Sequence, residues 1–123
     1  MKTTIKLKKS IKVDGKDIKE LPFDTDVFGM DELERANKKY ARTGNTGVME
    51  VDFTYHTIVA RIVIEKSSKG KISYEDLSRV SGADTFILQR AGRDFLLESA
   101  EGLQENTEEQ SEPTAVSTQE QDQ

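Results

Sequence analysis

The chain contains no cysteine, and this absence excludes disulfide bonds, thiolate metal sites and thiol nucleophiles together. It also lacks any apolar run near the roughly 20 residues of a membrane-spanning helix. The basic start, MKTTIKLKKSIKV, is not followed by the apolar stretch of a signal peptide. We therefore expect a soluble, cytoplasmic protein without a membrane segment.

Histidine is almost as scarce, and the single one, His56, has no serine, cysteine or second histidine beside it in a recognisable catalytic motif. We predict that it lies on the polar side of a helix, exposed or half-buried. The segment KSSKGKIS lacks the first glycine and the hydroxyl residue after lysine that a phosphate-binding loop needs. Paired carboxylates fall at expected turns and helix starts, where capping explains them: Asp14 with Asp17, and Glu75 with Asp76. The sequence predicts no catalytic residue, no cofactor and no enzyme.

One stretch, LPFDTDVFGMDELERA, resembles part of a calcium loop. Asp24, Asp26 and Gly29 fit the first, third and sixth loop positions. Phe28 stands where a fifth-position oxygen ligand is needed, and Arg35 replaces the bidentate glutamate of position twelve. A guanidinium at that position would repel the cation, so we predict no metal site here.

Charge is divided unevenly along the 123 residues. Residues 1–97 carry all 18 Lys and Arg against 15 Asp and Glu, whereas residues 98–123 carry eight acids and no base. The acidic end is rich in Glu, Gln, Ser and Thr, and it cannot bury enough apolar surface to offset its chain entropy. We predict one small domain, residues 1–100, and a disordered acidic tail, residues 101–123.

The N-terminal segment has the pattern of a β-hairpin. Residues 5–13 alternate apolar and polar side chains, with Lys9 as the one exception, and the Asp-Gly pair of VDGKDI indicates a turn. A four-residue loop would place Val13 opposite Ile18, and a two-residue loop would place it opposite Lys16. We favour the four-residue loop, because it pairs two apolar side chains.

A helix is expected after the second strand, which should end near Leu21 because the proline that follows removes a donor from the ladder. Asp24 or Asp26 is suited to cap the helix, which should run to about Arg42 and stop at Gly44. The segment ARTGNTG is predicted to be a mobile loop.

Three further helices are predicted. Residues 51–66 have strand-forming residue types but helical spacing, and we interpret them as a helix with an apolar face at Val51, Tyr55, Ile58, Val59 and Ile62. Ser73 should open a short helix with Asp76. The last helix is predicted over residues 83–98, with a buried stripe at Ile87, Leu88, Ala91, Phe95 and Leu96 and a polar side at Gln89, Arg90, Arg93 and Asp94. The expected fold is α+β: an antiparallel hairpin, a bundle of about four helices and the disordered tail.

The lysine-rich first strand is the one positive patch that suggests a nucleic-acid contact. It has no interleaved aromatic residues for base stacking, and lysines also protect an exposed edge strand from aggregation. We therefore favour the protective role over nucleic-acid binding.

The order of these features resembles that of the small tail assembly chaperones of long-tailed bacteriophages, encoded just before the tape measure gene. The resemblance covers residues 5–97 and depends on the basic hairpin with its DGK turn and on the closing segment YEDLSRVSGADTFILQRAGRDFLL. In that segment Glu75, Asp76, Leu77 and Asp84 match the family pattern, as do Phe95 and Leu96. Val80 departs from it, because a leucine is commoner at its position.

The resemblance implies a non-enzymatic protein that binds the tape measure protein and recruits tail tube protein in the bacterial host cytoplasm, and that is absent from the mature virion. It also implies that a longer product made by programmed frameshifting is an option for such a gene. A small nucleic-acid-binding regulator and a minor structural tail protein are the alternatives.

The last helix offers more apolar side chains than one face can bury, which leaves Phe86 and Leu97 at the margins of its stripe. We predict that these two residues contact the tape measure protein. The alternative is that they complete the core or a homo-oligomer contact.

Overall fold

The structure of the protein, a computed structural model, describes residues 1–44 and 52–111, and within the last helix it describes side chains as far as residue 98. The fold is α+β. Two strands are followed by three α-helices in these ranges: β1 (Lys2–Val13), β2 (Lys16–Asp24), α1 (Met30–Arg42), α2 (Phe53–Ser67) and α3 (Ala83–Ser111). Short 3₁₀ turns at Thr25–Val27 and Asp76–Arg79 complete the described elements.

The hairpin turn has two residues, so the favoured four-residue loop is wrong. Val13 lies opposite Lys16, and Asp14 and Gly15 between them have φ angles of 51° and 77°. Two successive left-handed residues make the turn whose twist matches that of the flanking strands. The second strand also continues beyond its predicted end to Asp24, because proline is tolerated on the outer edge of a two-stranded sheet.

A bulge interrupts the hairpin and explains the exception in the alternation of β1. Lys6 pairs with Glu20, but the next pair is Ile11 with Ile18, so four residues of β1 lie opposite Lys19 alone. Lys9 falls inside this bulge and is exposed. The apolar residues on both sides of it therefore reach the same core.

Helix α1 begins later than predicted. The Asp24 carboxylate caps the short turn Thr25–Val27 by accepting from the Asp26 N–H at 3.0 Å. Gly29 precedes the helix itself, and its N–H donates to Glu32 Oε1 at 2.8 Å. This bond is the main reason that the pKa of Glu32 is lowered, against the opposing effect of burial. The predicted end near Arg42 is confirmed. Of the loop predicted over residues 41–47, the first two residues belong to α1, and residues 45–47 lie outside the described residues.

The ambiguous segment is a helix, α2, as predicted, although Val51 lies outside the described part. Buried side chains occupy most of the circumference of α2, because β2, α1 and α3 all pack against this helix. The buried residues are Tyr55, His56, Ile58, Val59, Ala60, Ile62, Val63 and Ile64. Tertiary packing thus outweighs the weak helix propensity of the β-branched residues.

The short helix predicted at Ser73 is a single 3₁₀ turn, and a bundle of about four helices is therefore wrong for the described chain. Ser73 and Asp76 do exchange the predicted capping bonds: the Ser73 N–H donates to Asp76 Oδ2 at 2.9 Å and the Asp76 N–H donates to Ser73 Oγ at 3.0 Å. Val80 then has extended backbone, with ψ of 135°. The segment is too short to propagate a helix after its costly first turn.

Helix α3 continues to Ser111, beyond its predicted end at Glu98. The predicted stripe is confirmed, since Leu88 is buried and Ile87, Ala91, Phe95 and Leu96 pack against the core. Gln89, predicted on the polar side, is instead only 8% exposed. The predicted disordered tail falls partly on residues 112–123, which lie outside the described residues. No helix in the described ranges has the length and apolarity to cross a membrane.

Candidate partner-binding surface

One carboxylate fixes the start of α3 against the hairpin. Asp84 is 1% exposed, and its two oxygens accept from the N–H groups of Lys8, at 2.9 and 3.0 Å, and of Lys9, at 2.9 Å. These donors belong to the bulge, whose backbone has left the hairpin ladder. The bonds from Lys8 and Lys9 lower the pKa of Asp84, although its desolvation acts in the opposite direction.

The middle of α3 lies directly on α2. A side chain carbon added to Gly92 would overlap the carbonyl oxygen of His56, so only glycine allows the two backbones to come this close. The side chains of Gln89 and His56 also form a hydrogen bond across this crossing, with 3.1 Å between Nε2 and Nδ1. His56 is 1% exposed, so its predicted exposed or half-buried position is wrong.

The opposite side of α3 exposes the two predicted partner-binding residues. Phe86 is 60% exposed and Leu97 is 42% exposed. They are eleven residues apart, which is about three helical turns, so they share one face roughly 16 Å apart along the axis. The structure therefore places them in one row, which we call the α3 row.

Two arginines occupy the same row between the apolar residues. Phe86, Arg90, Arg93 and Leu97 follow one another at steps of four, three and four residues, the spacing of one helix face. Arg93 makes a long ion pair with Asp94 at 3.3 Å, whereas Arg90 is exposed and has no ion pair with the described residues. The row thus combines apolar ends with a positive centre.

A further exposed ring, Phe53, was not singled out from the sequence. It is 65% exposed and lies on the first turn of α2, 6.4 Å from the ring of His56 between centroids. Since His56 bonds Gln89, and Phe86 precedes Gln89 by one turn, both exposed phenylalanines flank the α2–α3 crossing. The sequence signal for an exposed Phe53 was its position directly after Asp52, the residue that caps α2.

A second set of side chains, also missed from the sequence, surrounds the ring of Tyr74. The Arg61 guanidinium lies 3.8 Å from the ring centroid, Lys39 Nζ lies 4.0 Å from it, and the Arg35 guanidinium lies at 5.6 Å. Burial raises the pKa of the Tyr74 hydroxyl, while the two arginines act to lower it. No sequence pattern links these residues, because two helices and a connecting segment contribute them.

The lysine-rich strand has acidic neighbours on β2. Lys6 lies opposite Glu20, and Lys12 Nζ is 3.2 Å from Asp17 Oδ1. These carboxylates offset part of the positive charge that a nucleic-acid backbone would need.

The aspartates of the calcium-like stretch have other partners. Asp24 caps a turn, and Asp26 Oδ1 lies 3.2 Å from the N-terminal ammonium. Arg35, which replaces the last ligand, pairs with Glu65 at 2.6 Å. Across the described residues, no group of three or more His, Cys, Asp and Glu side chains is placed to hold a metal ion.

Comparisons with known protein families, with curated proteins and with solved structures find no match to this chain.

Proposed function

We propose that the chain is a tail assembly chaperone of a long-tailed bacteriophage. In this role it binds the tape measure protein without catalysing a reaction, helps to recruit tail tube subunits, and leaves before the virion is complete. The single observation that carries the proposal is the α3 row, in which Phe86 and Leu97 remain exposed on one face of a helix fixed to the body.

A helical client suits this surface for two reasons. The apolar ends of the α3 row lie three turns apart, so an amphipathic helix aligned with α3 can contact both with its own apolar stripe. Large exposed side chains also tend to supply most of the affinity of an interface. Arg90 and Arg93 would then select client segments with carboxylates between their apolar residues.

The rigid attachment of α3 supports the same role. Asp84 fixes its first turn to the hairpin, and the Gly92 contact fixes its middle to α2. A surface held in place before binding loses less conformational entropy when the client arrives. The fold therefore presents the row as a preorganised face.

The proposal also places the protein in the bacterial host cytoplasm and excludes it from finished particles. Mass spectrometry of purified virions tests this part. We expect the protein to be absent from purified virions. Recovery of the protein in stoichiometric amounts would assign it to the structural tail proteins. A longer frameshifted product remains part of the proposal and would be detected in infected cells as a larger species sharing the same N-terminal peptides.

Substitution of the α3 row tests the binding surface. Phe86→Gln and Leu97→Gln are each expected to reduce capture of the tape measure protein about tenfold or more, in keeping with the loss of a central interface residue. Met30→Gln is the matched control, because Met30 is 71% exposed on α1 and lies outside the row. It should leave capture unchanged.

Thermal unfolding of the same variants separates client binding from folding. A change of less than about 1 kcal/mol is expected for Phe86→Gln, because most of the ring is already in solvent. A loss of about 2 kcal/mol or more would assign Phe86 to the core. Equal capture by Phe86→Gln, Leu97→Gln and Met30→Gln would show that the row is not the client site.

A further inference from the structure

A pocket between α1, α2 and Tyr74 gathers cations that the proposed chaperone role does not use. Its volume is about 480 Å³, and none of its lining residues is acidic. The lining residues are Lys39, Arg42, Thr43, Thr54, Thr57, Ile58, Arg61 and Tyr74. The three basic residues come from the last turns of α1 and the middle of α2.

These three cations have no carboxylate partner within the described ranges. Other basic residues nearby are paired: Arg35 with Glu65 at 2.6 Å, and Lys66 with Glu32 at 3.3 Å. Lys39, Arg42 and Arg61 form no such ion pair there. Like charges that share a pocket repel one another, so a bound anion would stabilise this arrangement.

Two of the cations are held in position. Arg61 donates from Nε and Nη2 to the Tyr74 carbonyl, at 3.2 and 2.7 Å, and lies against the ring of the same residue. Lys39 lies 4.0 Å from the centroid of that ring. Attraction between a cation and an aromatic face restrains each charge without neutralising it. The remaining N–H donors of both side chains stay available to a ligand.

Two acids that bond residues of the pocket lining already have other partners. Glu65 Oε2 accepts from the Tyr74 N–H at 3.1 Å, and Glu65 also pairs with Arg35. The Asp52 carboxylate accepts from the Tyr40 hydroxyl at 2.7 Å and from the Thr54 N–H at 2.8 Å. These two bonds, with that from Tyr40 the stronger cause, hold the pKa of Asp52 below its usual range. Asp52 is therefore committed to capping α2 and to Tyr40.

We infer that this pocket binds the phosphate group of a small molecule. A doubly charged phosphate matches three cations better than a single carboxylate does, and arginine with lysine is a common combination for its oxygens. The volume leaves room for a small organic group beyond the phosphate. None of the α3 row residues contributes, so the site is independent of client binding.

The surroundings of the pocket favour one isolated phosphate over a nucleic-acid backbone. The adjoining groove shares Lys39 and Arg42 with the pocket and is also lined by Arg35, Lys38, Asp31 and Glu34. Arg35 is already paired with Glu65, and two carboxylates face the remaining cations. A polyanion that extended from the pocket along this groove would meet these carboxylates. The charge is therefore suited to a short ligand.

Calorimetric titration of the full chain with inorganic phosphate and with pyrophosphate, in a chloride buffer of constant ionic strength, tests the inference. Binding of both anions is expected. Arg42→Gln should weaken it about tenfold, as loss of a charged hydrogen-bond donor typically does. Arg90→Gln removes the same charge from exposed α3 and should change Kd less than twofold.

The melting temperature of Arg42→Gln without phosphate should equal that of the parent protein, because Arg42 is exposed at the end of α1. Lys39→Gln provides a second variant that should also weaken binding. No heat of binding up to tens of millimolar anion would overturn the inference, as would equal weakening by Arg42→Gln and Arg90→Gln. Tight binding of duplex DNA that Arg42→Gln abolishes would overturn the assignment to a small molecule.

Discussion

At the scale of single residues, Asp84 joins the two ends of the described fold. Its buried carboxylate accepts three hydrogen bonds from the amides of a β-bulge that lies 75 and 76 positions earlier in the sequence. The sequence provided two separate signals, a break in alternation at Lys9 and an acid at the start of the last helix. Their connection depends on tertiary packing, and neither pattern alone predicts it.

Asp84→Asn should lower the melting temperature at pH 7, because a neutral amide accepts more weakly and brings a buried N–H₂ that needs its own acceptor. The pKa of Asp84 is lowered in the folded state. Ionised Asp84 therefore stabilises the fold at pH values above its unfolded pKa, near 3.9, and this stabilisation is lost as the pH falls through the folded pKa. Unfolding of the variant and the parent protein should be compared from pH 7 to pH 2.

The difference in stability between the two proteins should be greatest above about pH 4 and shrink at lower pH. Other carboxylates with lowered pKa, such as Glu32 and Asp76, titrate in both proteins and do not enter the difference. A difference in stability that stays constant from pH 7 to pH 2 would contradict the conclusion that ionised Asp84 holds α3 to the hairpin.

Gly92→Ala tests the close approach of α2 and α3. In an open helix this change stabilises by about 1 kcal/mol. Here the new methyl group would overlap the His56 carbonyl, so a loss of about 2 kcal/mol or more is expected from overpacking against backbone. Arg90→Ala, on the exposed face of the same helix, should change stability by less than about 0.5 kcal/mol. A stabilised Gly92→Ala protein would show that the helices do not cross there.

At the scale of elements, local patterns predicted helices and strands better than they predicted their ends and faces. Helical spacing identified α2 despite its Thr, Val and Ile content. The spacing did not reveal that three elements would enclose this helix and bury His56, because burial depends on distant parts of the chain. The same reason explains Gln89, which lies on the polar side by spacing but under α2 in the fold.

Turn length and helix length depend on more than one local pattern. The Asp-Gly pair itself specifies a two-residue turn, and this local preference outweighs the pairing of Val13 with Ile18 that a four-residue loop would give. The Ser73 and Asp76 bonds were predicted correctly, but a capping pattern marks the start of a helix and says nothing about its length. The α3 row was predicted in part, through Phe86 and Leu97, whereas the Tyr74 pocket had no local signal.

Truncation after residue 100 tests how far α3 contributes to the body. The removed part has Leu103 and Val116 as its only large apolar side chains, so its loss should leave the melting temperature unchanged. Thermal unfolding of the truncated and full chains provides the comparison. A fall of about 5 °C or more, worth roughly 1 kcal/mol in a domain of this size, would show that the terminal part packs on the body.

At the scale of the whole molecule, a hairpin and two helices hold a third helix so that one of its faces stays open. The buried face of α3 meets the core through Leu88, and its other face carries the exposed row of Phe86 and Leu97. This division suits a binding protein, and it underlies the chaperone proposal. The cationic pocket at Tyr74, for which we propose phosphate binding, is made from other residues.

The most direct test of the chaperone proposal is co-expression of the full chain with its proposed client, the long tape measure protein, analysed by size-exclusion chromatography. We expect that the two proteins elute together, that the long protein is soluble only in the presence of the chain, and that Phe86→Gln with Leu97→Gln abolishes both effects. Separate elution, with the long protein equally soluble alone, would contradict the chaperone proposal.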